Sequence, residues 1–193
     1  LEPDTEYEVE VKVLNDNSTY TDTIRTWKED VPIATDIPIT SIYEPGEPLS
    51  IQGLHGTENG YIRIIGDGST VVEVTDEFLE AVMIAQSEYV ILENLIIRGG
   101  KKSAISVLSS ARHIRIINCD ISNFGRKVTQ YLGKQTIVNN ADPNLAVELR
   151  TGQVYSANAT PVNNDSGIHI SDAGNLVIER NYIHDQKTSS NAW

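Results

Sequence analysis

Three segments of this chain lie over one another residue for residue: "YVILENLIIRGG" (89–100), "HIRIINCDISNFG" (113–125) and "NLVIERNYIHDQ" (175–186). Val90, Ile114 and Leu176 superpose, then Leu92, Ile116 and Ile178, then Ile97, Ile121 and Ile183. Each segment follows a second short apolar stretch, "AVMIA" (81–85), "AISVL" (104–108) or "GIHIS" (167–171). The first two units are 24 residues apart (114 − 90) and the next two 62 (176 − 114), which leaves 62 − 24 = 38 residues of insertion. "YIRIIGDG" (61–68), with Ile62 and Ile64, is an earlier copy 28 residues before Val90. A repeat of two or three short strands with Gly and Asn at its corners and no helical period cannot bury its apolar face alone. Stacked at the ~4.8 Å strand spacing, successive repeats share one core and pair every backbone group with the copy above or below.

The fold class expected is therefore all-β, as a right-handed parallel β-helix. The repeated order of strand, Asn-bearing corner (Glu93-Asn94; Ile117-Asn118-Cys119), strand and Gly-bearing turn resembles the pectin-lyase-like superfamily over roughly residues 45 to 193. That resemblance implies a secreted or cell-surface carbohydrate-active protein, since β-helices of the superfamily are largely polysaccharide lyases and glycoside hydrolases. The chain departs from the family in its chemistry. The paired aspartates of polygalacturonase-like hydrolases and the aspartate-rich calcium and arginine signature of pectate lyases are not found, so no catalytic residue carries over.

The opening stretch reads differently. In "LEPDTEYEVEVKVLN", Tyr7, Val9, Val11 and Val13 alternate with Glu8, Glu10 and Lys12, and Leu1, Pro3, Thr5 and Tyr7 resemble the entry to the sixth strand of a fibronectin type III domain. There the tyrosine hydroxyl bonds back to the backbone at the corner. "TYTDTIRTW" (19–27) supplies a second alternating strand after a turn-rich Asn15-Asp16-Asn17-Ser18. Residues 1–28 are expected to be the C-terminal hairpin of such a domain, or alternatively a local cap on the β-helix. Residues 29–48 are expected to be a proline-rich linker, and 49–193 the N-terminal coils of the β-helix with an insertion at about 123–166. "TDEFLEA" (75–81) could form a helical turn, although position 78 is Phe where a capping box needs Glu or Gln. On this reading the chain is part of a longer protein, with neighbouring domains as partners.

Fifteen basic and twenty-seven acidic residues give a formal net charge of −12, which argues against nucleic acid as a partner. No apolar run approaches the ~20 residues of a membrane span. Cys119 is alone, so no internal disulfide forms, and its corner position reads as structural.

Candidate site residues come from two places. The insertion carries Arg126, Lys127, Tyr131 and Tyr155, a basic and aromatic set suited to stacking on sugar rings and pairing with their acidic groups. An ordered ornament with solvated charges is the competing reading. The last repeat carries His169, expected to point outward between Ile168 and Ile170, together with Arg180, His184, Asp185 and Lys187. Such a set could abstract a proton from a uronic acid or protonate a leaving oxygen. Asp165 and Asp172, with Asn164, could hold Ca²⁺ or be solvated turn residues; the spacing is not that of a regular calcium loop. The function expected is degradation of an acidic polysaccharide by elimination or hydrolysis, with a non-catalytic glycan-binding or adhesin-type module as the alternative.

Overall fold

A computed structural model describes residues 2–15, 18–26, 28–125, 128–131, 134–139, 142–148 and 165–187. The chain divides into two units, Leu1–Pro32 and Ile33–Trp193. In the first, β1 (Glu6–Lys12) and β2 (Thr19–Arg25) pair antiparallel from Glu6↔Arg25 to Lys12↔Thr19. The Tyr7 hydroxyl oxygen accepts a hydrogen bond from the Glu2 N–H at 2.7 Å, and Arg25 pairs with Asp4 at 2.8 Å.

The second unit is all-β and built mainly of parallel sheets. Its strands are β3 (Ile33–Pro38), β4 (Leu49–Gln52), β5 (Tyr61–Ile65), β6 (Val71–Glu73), β7 (Glu80–Ala85), β8 (Glu88–Glu93), β9 (Ile96–Arg98), β10 (Ser103–Leu108), β11 (Arg112–Ile117) and β12 (Asp120–Ser122). Then come β13 (Val128–Tyr131), β14 (Lys134–Asn139) and β15 (Asp142–Glu148), followed by β16 (Ser166–Ile170), β17 (Val177–Glu179) and β18 (Tyr182–His184). The first parallel sheet runs β16-β10-β7-β4, the second β17-β11-β8-β5-β3 and the third β18-β12-β9-β6. From β4 onward the chain thus visits the three sheets in the same order four times.

The β-branched repeats explain the core. Side chains alternate across a strand, so every second residue faces inward and meets its counterpart in the neighbouring strand. Rows form in this way: Ile51, Ile84 and Val107; Ile64, Leu92 and Ile116; Val72, Ile97 and Ile121. All nine side chains are buried, and burying each contributes roughly 1.5–3 kcal/mol. Each row continues into the last passage, through Ile170, Ile178 and Ile183. There exposure rises from 0–1% to 44%, 41% and 39%.

The corners share one backbone solution. Asn94, Asn118 and Arg180, between the second and third sheets, all have φ between 53° and 57°. Asparagine tolerates this left-handed conformation, and glycine meets it at Gly99 (φ 92°), where an added Cβ would sit 2.2 Å from the Val74 carbonyl oxygen. Below the second corner Asn181 closes a gap: its side-chain oxygen accepts from the Cys119 N–H and its amide donates to the Ile116 carbonyl, both at 2.8 Å.

One expectation changes. The proposed linker contains a paired strand, because Ile33–Pro38 joins the edge of the second sheet beside β5. At 75–81 the chain makes one turn, the Phe78 N–H reaching the Thr75 carbonyl at 3.3 Å, before β7 begins at Glu80. Within the insertion β13, β14 and β15 make a three-stranded antiparallel sheet. Among the described residues no helix is long and apolar enough to cross a membrane.

Candidate functional site

Three-residue strands make the third sheet easy to read. Ile97 and Ile121 are buried in the core and Ile183 is paired with Ile121, so alternation turns the residues on either side of each to the opposite face, where Ser122 is nonetheless buried. One outward row runs Val71, Ile96, Asp120, Tyr182 and the other Glu73, Arg98, Ser122, His184. At ~4.8 Å between strands, neighbours in these rows are within reach of each other's functional groups.

Asp120 is the hub. Its Oδ1 accepts from Arg98 Nη1 at 2.8 Å and from His184 Nε2, also at 2.8 Å. Arg98 Nη1 donates further to the Ile97 and Asp120 carbonyls, which ties the guanidinium to the backbone of both strands. On the other edge of the imidazole, His184 Nδ1 lies 2.9 Å from Asp185 Oδ2. The Tyr182 ring stacks on the imidazole, centroids 4.1 Å apart and 22° between planes, while most of Tyr182 remains exposed. Beyond the strand, Lys187 forms an ion pair with Asp76.

The charges act on one another. The Arg98 hydrogen bond, aided by His184, holds the Asp120 carboxyl below the usual carboxylate range against a smaller opposing desolvation. The Asp120 bond, helped by Asp185, raises the His184 imidazole above its ordinary value. Asp120 therefore stays ionised and fixes the ring through Nε2, while Nδ1 faces Asp185, whose side chain is 76% exposed. A ring held by one carboxylate, with its second nitrogen turned toward an open acid, is an arrangement able to pass a proton.

Of the residues singled out from the sequence, the structure brings His184 and Asp185 together, with Lys187 two residues on. His169 is elsewhere, on β16 of the first sheet beside Ser106. Its charge acts on Glu80, whose carboxyl is raised by burial, with Lys102 and His169 opposing the shift. Arg180 occupies a corner and pairs with Glu179 at 3.1 Å. Asp165 is buried just before β16, and Asp172 lies past its other end, where its carbonyl accepts from the Ser110 N–H and Arg112 Nη1. The two aspartates are not brought together, and among the described residues no group of three His, Cys, Asp or Glu side chains is placed to hold a metal ion such as Ca²⁺. In the insertion, Tyr131 ends β13, its backbone paired with Lys134. Arg126, Lys127, Tyr155 and Asn164 lie outside the described residues.

Arg98, Asp120 and Tyr182 were missed by sequence reasoning. The signal was present: aligning Ile97, Ile121 and Ile183 also aligns their neighbours, and alternation turns those neighbours outward together. Two other arrays link successive strands of the second sheet. Arg63 binds Asp36 through Nε (2.8 Å) and Nη2 (3.1 Å) and Glu93 through Nη1 (3.0 Å). Tyr61 meets Tyr89 edge-on, Tyr89 stacks on His113 at 4.3 Å, and His113 Nε2 contacts Asn175 at 3.3 Å. Cys119 is buried, and burial pushes its thiol up to about 11, which suits a packing role and not a nucleophile. No protein-family model, curated protein or solved structure matches this chain.

Proposed function

We propose that the chain is part of a secreted or cell-surface, carbohydrate-active protein whose second unit is a right-handed parallel β-helix of the pectin-lyase-like kind. On this reading the outward face of the third sheet holds a polysaccharide, and His184 moves the proton at its cleavage. The β-helix reading is supported by the fourfold visit to three parallel sheets in constant order. The fibronectin type III reading of the first unit is supported by the Glu2–Tyr7 hydrogen bond at the start of the hairpin.

The observation that carries the functional reading is the chain of contacts from Arg98 through Asp120 and His184 to Asp185, beside the exposed ring of Tyr182. Asp120 orients the imidazole, Arg98 keeps Asp120 ionised, and Nδ1 exchanges a proton with a sugar oxygen that displaces Asp185. A second reading, glycan binding without cleavage, is favoured by the fact that both imidazole nitrogens already have carboxylate partners. The two are separated by incubating the protein with a polysaccharide panel and following reducing ends and ultraviolet absorbance together. Cleavage abolished by His184→Ala, with retention on the polymer kept, supports catalysis; retention without new ends at any pH leaves the binding module.

A further inference from the structure

Among the described residues, the face around His184 and Tyr182 carries the cations Arg98, protonated His184 and Lys187. Each is in contact with a carboxylate: Arg98 with Asp120, His184 with Asp120 and Asp185, Lys187 with Asp76. Glu73 stands in the row of Arg98 and is exposed. The count is three positive charges against four negative (Asp76, Asp120, Asp185, Glu73), 3 − 4 = −1, on a chain whose formal net charge is −12. A polymer carrying a carboxylate or sulfate on each sugar would meet no excess of cations among these described residues, and its long-range interaction with the acidic chain is repulsive.

The same face suits an uncharged sugar. Tyr182, stacked on one side by His184, is 65% exposed and offers an aromatic surface to the apolar C–H face of a pyranose. Asp185 and Glu73 are exposed acceptors for hydroxyl donors, and charge-assisted hydrogen bonds of this kind are the stronger ones.

From the glycan-binding reading of this face, on which the inference rests, we propose that its ligand is a neutral hexopyranose or pentopyranose polysaccharide and not a uronic-acid or sulfated one. Elimination requires a proton made acidic by a neighbouring carboxylate, so a neutral ligand removes the lyase route and leaves hydrolysis or binding.

The test is affinity electrophoresis of the full chain in gels containing β-glucan, xylan, mannan or galactan, and in parallel polygalacturonate, alginate or dextran sulfate. Tyr182→Ala and Asp185→Asn are run beside the wild type, each checked for native circular dichroism. The expected result is retardation by at least one neutral polymer and by none of the anionic ones. Tyr182→Ala is expected to weaken retardation about tenfold, and Asp185→Asn by less. Retardation by an anionic polymer that Tyr182→Ala removes would overturn the neutral-ligand inference and leave the glycan-binding face standing. If no polymer retards the protein, or retardation ignores Tyr182→Ala, the reading of this face falls, and the inference with it.

Discussion

His184 Nε2 and Asp120 Oδ1 stand 2.8 Å apart and tie β18 to β12, while His184 Nδ1 reaches Asp185 at 2.9 Å. A doubly protonated ring donates to both carboxylates; a neutral ring has one N–H and serves only one of them. The link between the last two strands of the third sheet therefore depends on protonation.

Its pH dependence has a definite sign. The His184 value is raised above 6.5, so its contribution is complete below that ordinary value and is lost as pH climbs through the folded one. The Asp120 value is lowered below 3.8, so its contribution is complete above that value and is lost as pH falls through the folded one. Between 3.8 and 6.5 the contact is at its fullest. An NMR titration of the His184 ring is expected to give a midpoint above 6.5, and Asp120→Asn to bring it down. A midpoint unchanged by Asp120→Asn would mean that the ring does not sense this carboxylate.

Gly99 and Gly68 separate two costs of adding a methyl group. Both have positive φ, 92° and 78°, but a Cβ at Gly68 meets nothing within 4 Å, whereas at Gly99 it strikes the Val74 carbonyl. Gly68→Ala is expected to lose only the ~1–2 kcal/mol of the left-handed conformation. Gly99→Ala adds an overpacking cost of roughly 1–3 kcal/mol. Urea unfolding should place the midpoint of Gly99→Ala clearly below that of Gly68→Ala; equal midpoints would contradict the close approach of Gly99 to Val74.

Ile121 and Ile183 occupy one row, yet the first is fully buried and the second 39% exposed. Ile121→Ala should cost about 2–5 kcal/mol as a cavity-forming change, and Ile183→Ala less than half as much. Denaturation of both variants under identical conditions checks the ratio, which a core equally closed at both positions would bring to one.

Cys119 is a reporter of opening. With the thiol buried and pushed up to about 11, alkylation at neutral pH is expected to be slow in the folded protein. In rising urea the labelling rate should climb in step with loss of the circular dichroism signal. Fast labelling without urea would show that the corner around Cys119 opens locally, apart from the rest of the sheet.

How much of this was legible beforehand varies by element. The pairings Val90–Ile114, Leu92–Ile116–Ile178 and Ile97–Ile121–Ile183 could be written from the chain alone, because apolar identity at fixed spacing is the physical requirement for stacking. Val71–Glu73 was not legible: it lies outside the three aligned segments, and three residues without a repeat to align them carry too little alternation to register. Nor was Ile33–Pro38, where prolines suggest a linker and the pairing with β5 is decided by distant residues. Of the site, His184 and Asp185 were visible as adjacent polar residues. Asp120 was not, since 64 residues separate it from His184 and its importance comes from being one strand away.

Asn181 does with a side chain what a backbone would do in an ordinary ladder. The isoleucine rows tell the last passage which face belongs inside, and sliding by two residues would preserve that facing. Such a slide would strand the Cys119 N–H and the Ile116 carbonyl, because a single amide answers both and sits at a single position. Asn181 thus works as an indexing key: hydrophobic alternation selects the side, and this amide selects the notch.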